Sequence, residues 1–142
     1  MKTLVTACIL LATTTAYADN LEEKKFWKQQ RNYIDEHLKT AEKACSKKFT
    51  FDWVDQATLR AEVAKTKHTP NGVCGNIIDS VASICREGAD EKATVAAKIN
   101  GFTCAYAKER ALDLKGGTVK YSGNNTQSNF SEWAKPWLLK HL

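Results

Sequence analysis

The cysteines constrain this chain more than any other feature. Cys8, Cys45, Cys74, Cys85 and Cys104 make five, an odd number that leaves one over if the rest pair as disulfides. The last four are 29, 11 and 19 residues apart, so no close C-x-x-C pair offers the ligand spacing of a zinc site. Neither a metal nor a cofactor is expected.

The N-terminus accounts for the odd thiol. Lys2 gives a short positive start, Leu4 to Ala12 is mostly apolar, and Ala16-Tyr17-Ala18 precedes Asp19 as a small-x-small cleavage signature. That order reads as a secretory signal peptide over residues 1–18, cut between Ala18 and Asp19. The apolar run is about half the roughly 20 residues a membrane-spanning helix needs, and no later stretch approaches that length. Val5-Thr6-Ala7-Cys8 superficially matches a lipoprotein box, but its cysteine precedes most of the apolar run instead of following it. Removing 18 of the 142 residues leaves one domain of 124, residues 19–142, carrying twenty basic and sixteen acidic side chains, a charge of +4. Cys8 leaves with the signal. Four cysteines in an exported chain then read as two disulfides in a periplasmic or extracellular protein.

Hydrophobic periodicity predicts an α+β fold. Trp27, Ile34, Leu38, Ala41, Cys45 and Phe49 recur at helical spacing, so one long helix is expected from about Asp19 to Lys48, with Asp19, Glu22 and Glu23 at its start. Phe51 and Trp53 continue an alternation from Phe49 that suggests a short extended piece. A second helix is expected over 55–65 with Leu59 and Val63 inward, and a loop over 67–72. A third helix is expected over 74–86 with Ile78 and Val81 on the cysteine face, and a short one over 90–99. From Phe102 the period becomes two, through Cys104, Tyr106, Leu112, Leu114, Val119 and Tyr121, with Gly116-Gly117 as a hairpin turn. This predicts a small three-stranded antiparallel meander. A polar loop over 122–128 follows, then a closing helix capped by Asn129 with Glu132, burying Phe130, Trp133, Trp137 and Leu138 and disturbed by Pro136.

Four cysteines allow three pairings. Cys74 and Cys85 on one helix would lie roughly 16 Å apart, against a limit of about 7 Å between Cα atoms in a disulfide. Of the remaining two, Cys45 with Cys74 and Cys85 with Cys104 is preferred, because each bridge would clip the ends of successive elements. The alternative joins Cys45 to Cys85 and Cys74 to Cys104.

Candidate chemistry is sparse. His37 lies one turn after Tyr33 and beside Asp35 and Glu36, where it could act as a general base. No second histidine stands at metal-ligand spacing, and His68 and His141 fall in a loop and at the chain end. G-x-S-x-G is absent. Residues 24–48 carry Lys24, Lys25, Lys28, Arg31, Lys39, Lys43, Lys47 and Lys48 against Asp35, Glu36 and Glu42, followed by Phe49, Phe51 and Trp53. Such a segment could grip an anionic surface, although mixed signs along a helix more often mark a solvated face. Asn124 and Asn129 head N-x-[ST] matches that glycans would use only in a eukaryotic secretory pathway. Trp133 and Trp137 could line a groove, but their helical spacing fits core packing.

A helix ending in Cys45, F-D-W at 51–53, C-G at 74–75, Cys85, Cys104, GGTVKY at 116–121 and a closing N-F-x-x-W with LLKHL form a recognisable layout. It resembles small exported proteins of myxobacterial type that have no assigned function. The resemblance implies export and a disulfide framework, and transfers no activity. The expectation is a non-enzymatic binding or interaction module whose partner is an envelope or extracellular protein; nucleic acid is not expected. The rivals are a basic surface-active or inhibitory protein that binds anionic surfaces, and a small hydrolase using His37.

Overall fold

The structure is a computed structural model describing residues 8–66, 68–124 and 129–142, with backbone only for 8–19 and Val63. Residues 1–7 of the expected signal lie outside that range, as do Lys67 and residues 125–128. The elements in order are α1 (Cys8–Cys45), β1 (Thr50–Trp53), α2 (Gln56–Thr66), α3 (Pro70–Cys85), α4 (Ala89–Lys98), β2 (Gly101–Tyr106), β3 (Ala111–Lys115), β4 (Thr118–Gly123) and α5 (Phe130–His141). The fold is α+β.

The most apolar helix sits at the centre. α3 buries eleven of its sixteen residues, which is what a helix apolar on most of its circumference must do. It lies against β2 and β4, flanked by α1, α4 and α5. Ile34, Leu38, Ala41 and Cys45 give α1 its inward stripe, and Leu59 is buried in α2; the side chain of Val63, also expected inward, lies outside the described residues. α3 starts at Pro70, inside the expected loop. Thr69 caps it, its side chain accepting from the Gly72 N–H, and Pro70 stands in the first turn, where a missing N–H costs nothing. α1 reaches back to Cys8 and ends at Cys45, so the early acids do not stand at its start in the full sequence.

The sheet has four strands in the order β1-β2-β4-β3 and is mixed, which corrects the expected antiparallel meander of three. β1 is parallel to β2, β2 is parallel to β4, and only β3 and β4 are antiparallel. The physical reason is burial. β4 places Val119 and Tyr121 in the core, whereas every residue of β3 is half-buried or exposed, so the richer strand takes the centre and the poorer one the edge. The extended piece at Phe51 and Trp53 becomes the fourth strand, supplying inward side chains beside Phe102 and Cys104. The turn between β3 and β4 is as expected: Gly116 and Gly117 have φ of 59° and 78°, the left-handed values of a two-residue hairpin.

The cysteines pair as Cys45–Cys85 and Cys74–Cys104, with Cα atoms 5.1 and 5.9 Å apart. This overturns the preferred pairing of Cys45 with Cys74 and Cys85 with Cys104. That preference assumed α3 turns back along α1. Instead β1 and α2 carry the chain back first, so α1 and α3 run parallel: Gln30 meets Asn71, His37 meets Asp79, and the two C-terminal ends meet at Cys45 and Cys85. Cys74, on the sheet side of α3, then reaches Cys104 in β2. Closing loops of 40 and 30 residues would contribute about 4 kcal/mol each at most on chain-entropy grounds.

The last helix departs from expectation at its start. Asn129 has φ 64° and its side chain makes no cap hydrogen bond, so the capping box with Glu132 does not form. Pro136 stands inside α5, which continues through it to His141. Ala134 and Leu138 are fully buried, while Phe130, Trp133 and Trp137 pack half-buried against the core.

Candidate functional site

The face of the sheet turned away from α3 follows from strand alternation. With Phe102, Cys104, Val119 and Tyr121 inward, Thr103 and Ala105 of β2, Lys120 and Ser122 of β4, and Ala111 and Asp113 of β3 point outward. Together with Leu112, Tyr121 and Val54 they line a shallow depression of about 240 Å³. Every lining residue belongs to a strand except Val54, which follows β1 and is exposed. Asp113 and Lys120 are register partners, so this floor, whose outward side chains are short apart from Lys120, carries one opposite-charge pair. Beside it, at the start of β2, a side chain at Gly101 is excluded, because a Cβ there would stand 2.9 Å from the Thr50 carbonyl. The Cys74–Cys104 bridge ties the floor to α3 from beneath.

His37 belongs to a different place, the seam between α1 and α3. Its Nδ1 is 2.9 Å from Asp79 Oδ1, and its ring lies over Gly75, where a Cβ would come within 2.6 Å of Nε2. The carboxylate that orients the ring is therefore Asp79, forty-two residues away in sequence; Asp35 instead accepts from Arg31. An imidazole held by a carboxylate is a component of acid–base sites. Here the face of the ring is spent on the α3 backbone, an arrangement that locks two helices together. Sequence reasoning missed both Asp79 and Gly75. The adjacent C-G in an apolar helix was the available signal, since glycine inside a helix often marks a close approach.

The basic residues gather at the C-terminal end of α1. Lys39, Lys43, Lys47 and Lys48 surround a hollow of about 420 Å³ with Glu42 and Ser46. Ser46 takes φ 53° and the Lys47 N–H turns back to the Glu42 carbonyl, closing the helix. Lys47 Nζ donates to the Ala96 carbonyl and to Asn100 Oδ1, while Lys48 Nζ is 2.6 Å from Glu42. Hydrogen bonds from Lys48 and from the Phe49 N–H hold the Glu42 carboxyl below the usual range. Cations also suit the carbonyl-rich end of a helix, so part of this cluster stabilises α1 itself. Further along, Arg31 donates to Asp35 and to the Phe51 carbonyl, which interrupts any continuous basic stripe.

The C-terminal aromatics form packing contacts. Tyr121 meets Phe130 and Trp133 edge-on or tilted, and Arg110 lies over the Trp133 ring at 4.6 Å. Burial pushes the Tyr121 hydroxyl up to about 12, with the Arg110 charge acting against it. Trp137 stacks on His141. Asn124 donates to the Lys108 carbonyl, and Asn129 is exposed at the start of α5.

Among the described residues no group of three or more His, Cys, Asp or Glu side chains could hold a metal ion, and no helix is long and apolar enough to cross a membrane. The two bridges fit an oxidising compartment. No family model, curated protein or solved structure matches this chain.

Proposed function

We propose that this is an exported, disulfide-braced binding protein of the periplasm or extracellular space, whose own chemistry is recognition rather than catalysis. It holds an envelope or extracellular protein against the outer face of its sheet. One observation carries the reading. β1, β2 and β4 are mutually parallel, and parallel strands ordinarily have both faces covered, yet here the side opposite α3 is a shallow floor lined only by strand residues and Val54. A sheet of that kind with an open floor of mostly short side chains fits a surface kept for a partner, and the Cys74–Cys104 bridge keeps the floor rigid enough to lose little entropy on binding.

The test has two parts. Mass spectrometry of the exported protein should find its N-terminus at Asp19. A photo-crosslinking residue at Ser122 in producing cells should then give one discrete adduct, abolished by Thr103→Arg and unaffected by Lys39→Glu. Diffuse labelling insensitive to Thr103→Arg would refute the sheet-face assignment. An N-terminus upstream of Asp19 would refute the processing.

The lysine cluster around the 420 Å³ hollow supports a second reading, a basic protein that binds anionic surfaces. On that reading, retention on heparin at low salt is lost in Lys39→Glu with Lys43→Glu, and it falls with ionic strength as screening requires.

A further inference from the structure

The two edges of the sheet are finished differently. Along β1, the Thr50 and Val54 N–H groups donate to β2, so the backbone groups of Phe51 and Trp53 face the free edge. That edge is occupied: Arg31 donates to the Phe51 carbonyl at 2.7 Å, and Trp27 of α1 lies against Trp53. The opposite edge, β3, can be read the same way. Gly117 and Gly123 accept from Asn100 and Ala107 on the β2 side, so the odd-numbered residues of β4 face β2 and the even-numbered ones face β3. The hairpin therefore closes on Lys115 and Thr118 as a hydrogen-bonded pair, followed by Asp113 with Lys120 and Ala111 with Ser122. The N–H and C=O groups of Leu112 and Leu114 consequently point away from the sheet. Among the described residues, no strand lies beyond them.

α5 packs against β3, but no described strand pairs with its outward backbone groups; an antiparallel edge of that kind is a template for another strand, and charges decide which strand it accepts. A second copy of β3, related by a two-fold axis, can meet it in few registers. Centring the axis on Asp113 opposes two like carboxylates and is disfavoured. With the axis on Leu114, Leu114 exchanges both backbone hydrogen bonds with its counterpart, and Asp113 of each copy faces Lys115 of the other. Both of those side chains are exposed on the outer face, and the half-buried Leu112 and Leu114 lie on the inner face where pairing would cover them further. The hairpin end is already held in place, since Gly117 accepts from both Asn100 and Gly101.

We propose that the chain self-associates through β3 as a two-fold dimer centred on Leu114, joining two four-stranded sheets into one of eight strands. This does not depend on the proposed binding role. The disulfide-bonded protein purified from an exporting host should show a concentration-dependent monomer–dimer equilibrium in sedimentation velocity. Lys115→Asp alone and Asp113→Lys alone should each weaken it by about tenfold, because each replaces two cross-strand ion pairs by like charges. Mixing those two variants should restore association as a heterodimer, since each then meets its complement. Leu114→Pro should abolish the dimer while leaving the β3–β4 ladder intact, because that N–H points outward, and circular dichroism should remain that of the folded protein. A monomer at every concentration would overturn the proposal. So would a dimer unaffected by Lys115→Asp and Leu114→Pro, and failure of the mixed variants to associate would overturn the register.

Discussion

Substituting Gly75 by alanine should change the sign of its effect depending on whether His37 is present. Gly75 is buried in the interior of α3 beneath the His37 ring, and a Cβ there would sit 2.6 to 2.9 Å from three ring atoms. Contacts that close force the ring to leave. Its departure breaks the bond from Nδ1 to Asp79, a pair whose side chains are 31% and 46% exposed, so the loss is at the lower end for a hydrogen bond, about 0.5–1 kcal/mol. Lost ring packing adds a similar amount, about 0.5–1 kcal/mol. Against this, alanine in a helix interior gains about 1 kcal/mol over glycine. Gly75→Ala alone should therefore be destabilising by a few tenths of a kcal/mol. In a His37→Ala background only the propensity gain remains, and the same change should stabilise by about 1 kcal/mol. The coupling of about 1.5 kcal/mol is read from a double-mutant cycle of urea denaturation followed by circular dichroism, with the disulfides intact. Equal stabilisation in both backgrounds would refute the seating of His37 on α3.

Non-reducing peptide maps should contain Cys45 joined to Cys85 and Cys74 joined to Cys104, and replacing either pair with alanine should cost up to about 4 kcal/mol in denaturant titrations. Tyr121 gives an alkaline limb. Its hydroxyl sits at about 12 in the folded chain, against about 10 unfolded, so the stability it contributes is intact below pH 10. That contribution, about 2.5 kcal/mol, is lost as pH rises to 12, and Tyr121→Phe should lose less stability over the same interval. Glu42 gives the acid counterpart. Because its folded carboxyl titrates below the ordinary range, its contribution is present above the unfolded value near 4.3 and lost as pH falls through the folded one. Glu42→Gln should flatten that limb.

What was legible in the sequence is what depends on neighbours along the chain. The stripe from Ile34 to Cys45, the glycine hairpin and the cysteine face of α3 with Ile78 and Val81 are local patterns, and each produces the element expected of it. What was not legible depends on distant partners. Phe51 and Trp53 reveal an extended segment, but its parallel neighbour begins at Gly101, and no local pattern announces that pairing. The same holds for β3 and β4, whose order depends on which strand contributes more to a shared core. His37 looked to Asp35 and Glu36 for a carboxylate because they are adjacent, while the fold supplies Asp79 from another helix. The start of α3 was legible and misread: Thr69 before Pro70 is a helix-opening pattern, outweighed by the loop composition of Asn71-Gly72. Asn129 fails as a cap for a backbone reason, since its left-handed conformation does not match the extended geometry a cap requires.

The order of the bridged cysteines along the chain is 45, 74, 85, 104, with the first joined to the third and the second to the fourth. The two covalent loops interlace. A single protease cut anywhere between Cys45 and Cys104 leaves both pieces tethered. Before Cys74 the first bridge spans the cut, after Cys85 the second does, and between them both do. Side-by-side loops would have left the stretch from Cys74 to Cys85, most of the central helix, as the one place where a cut parts the molecule. Wherever proteases meet the oxidised protein, this topology lets a nicked copy keep its mass and its register until a reductant arrives.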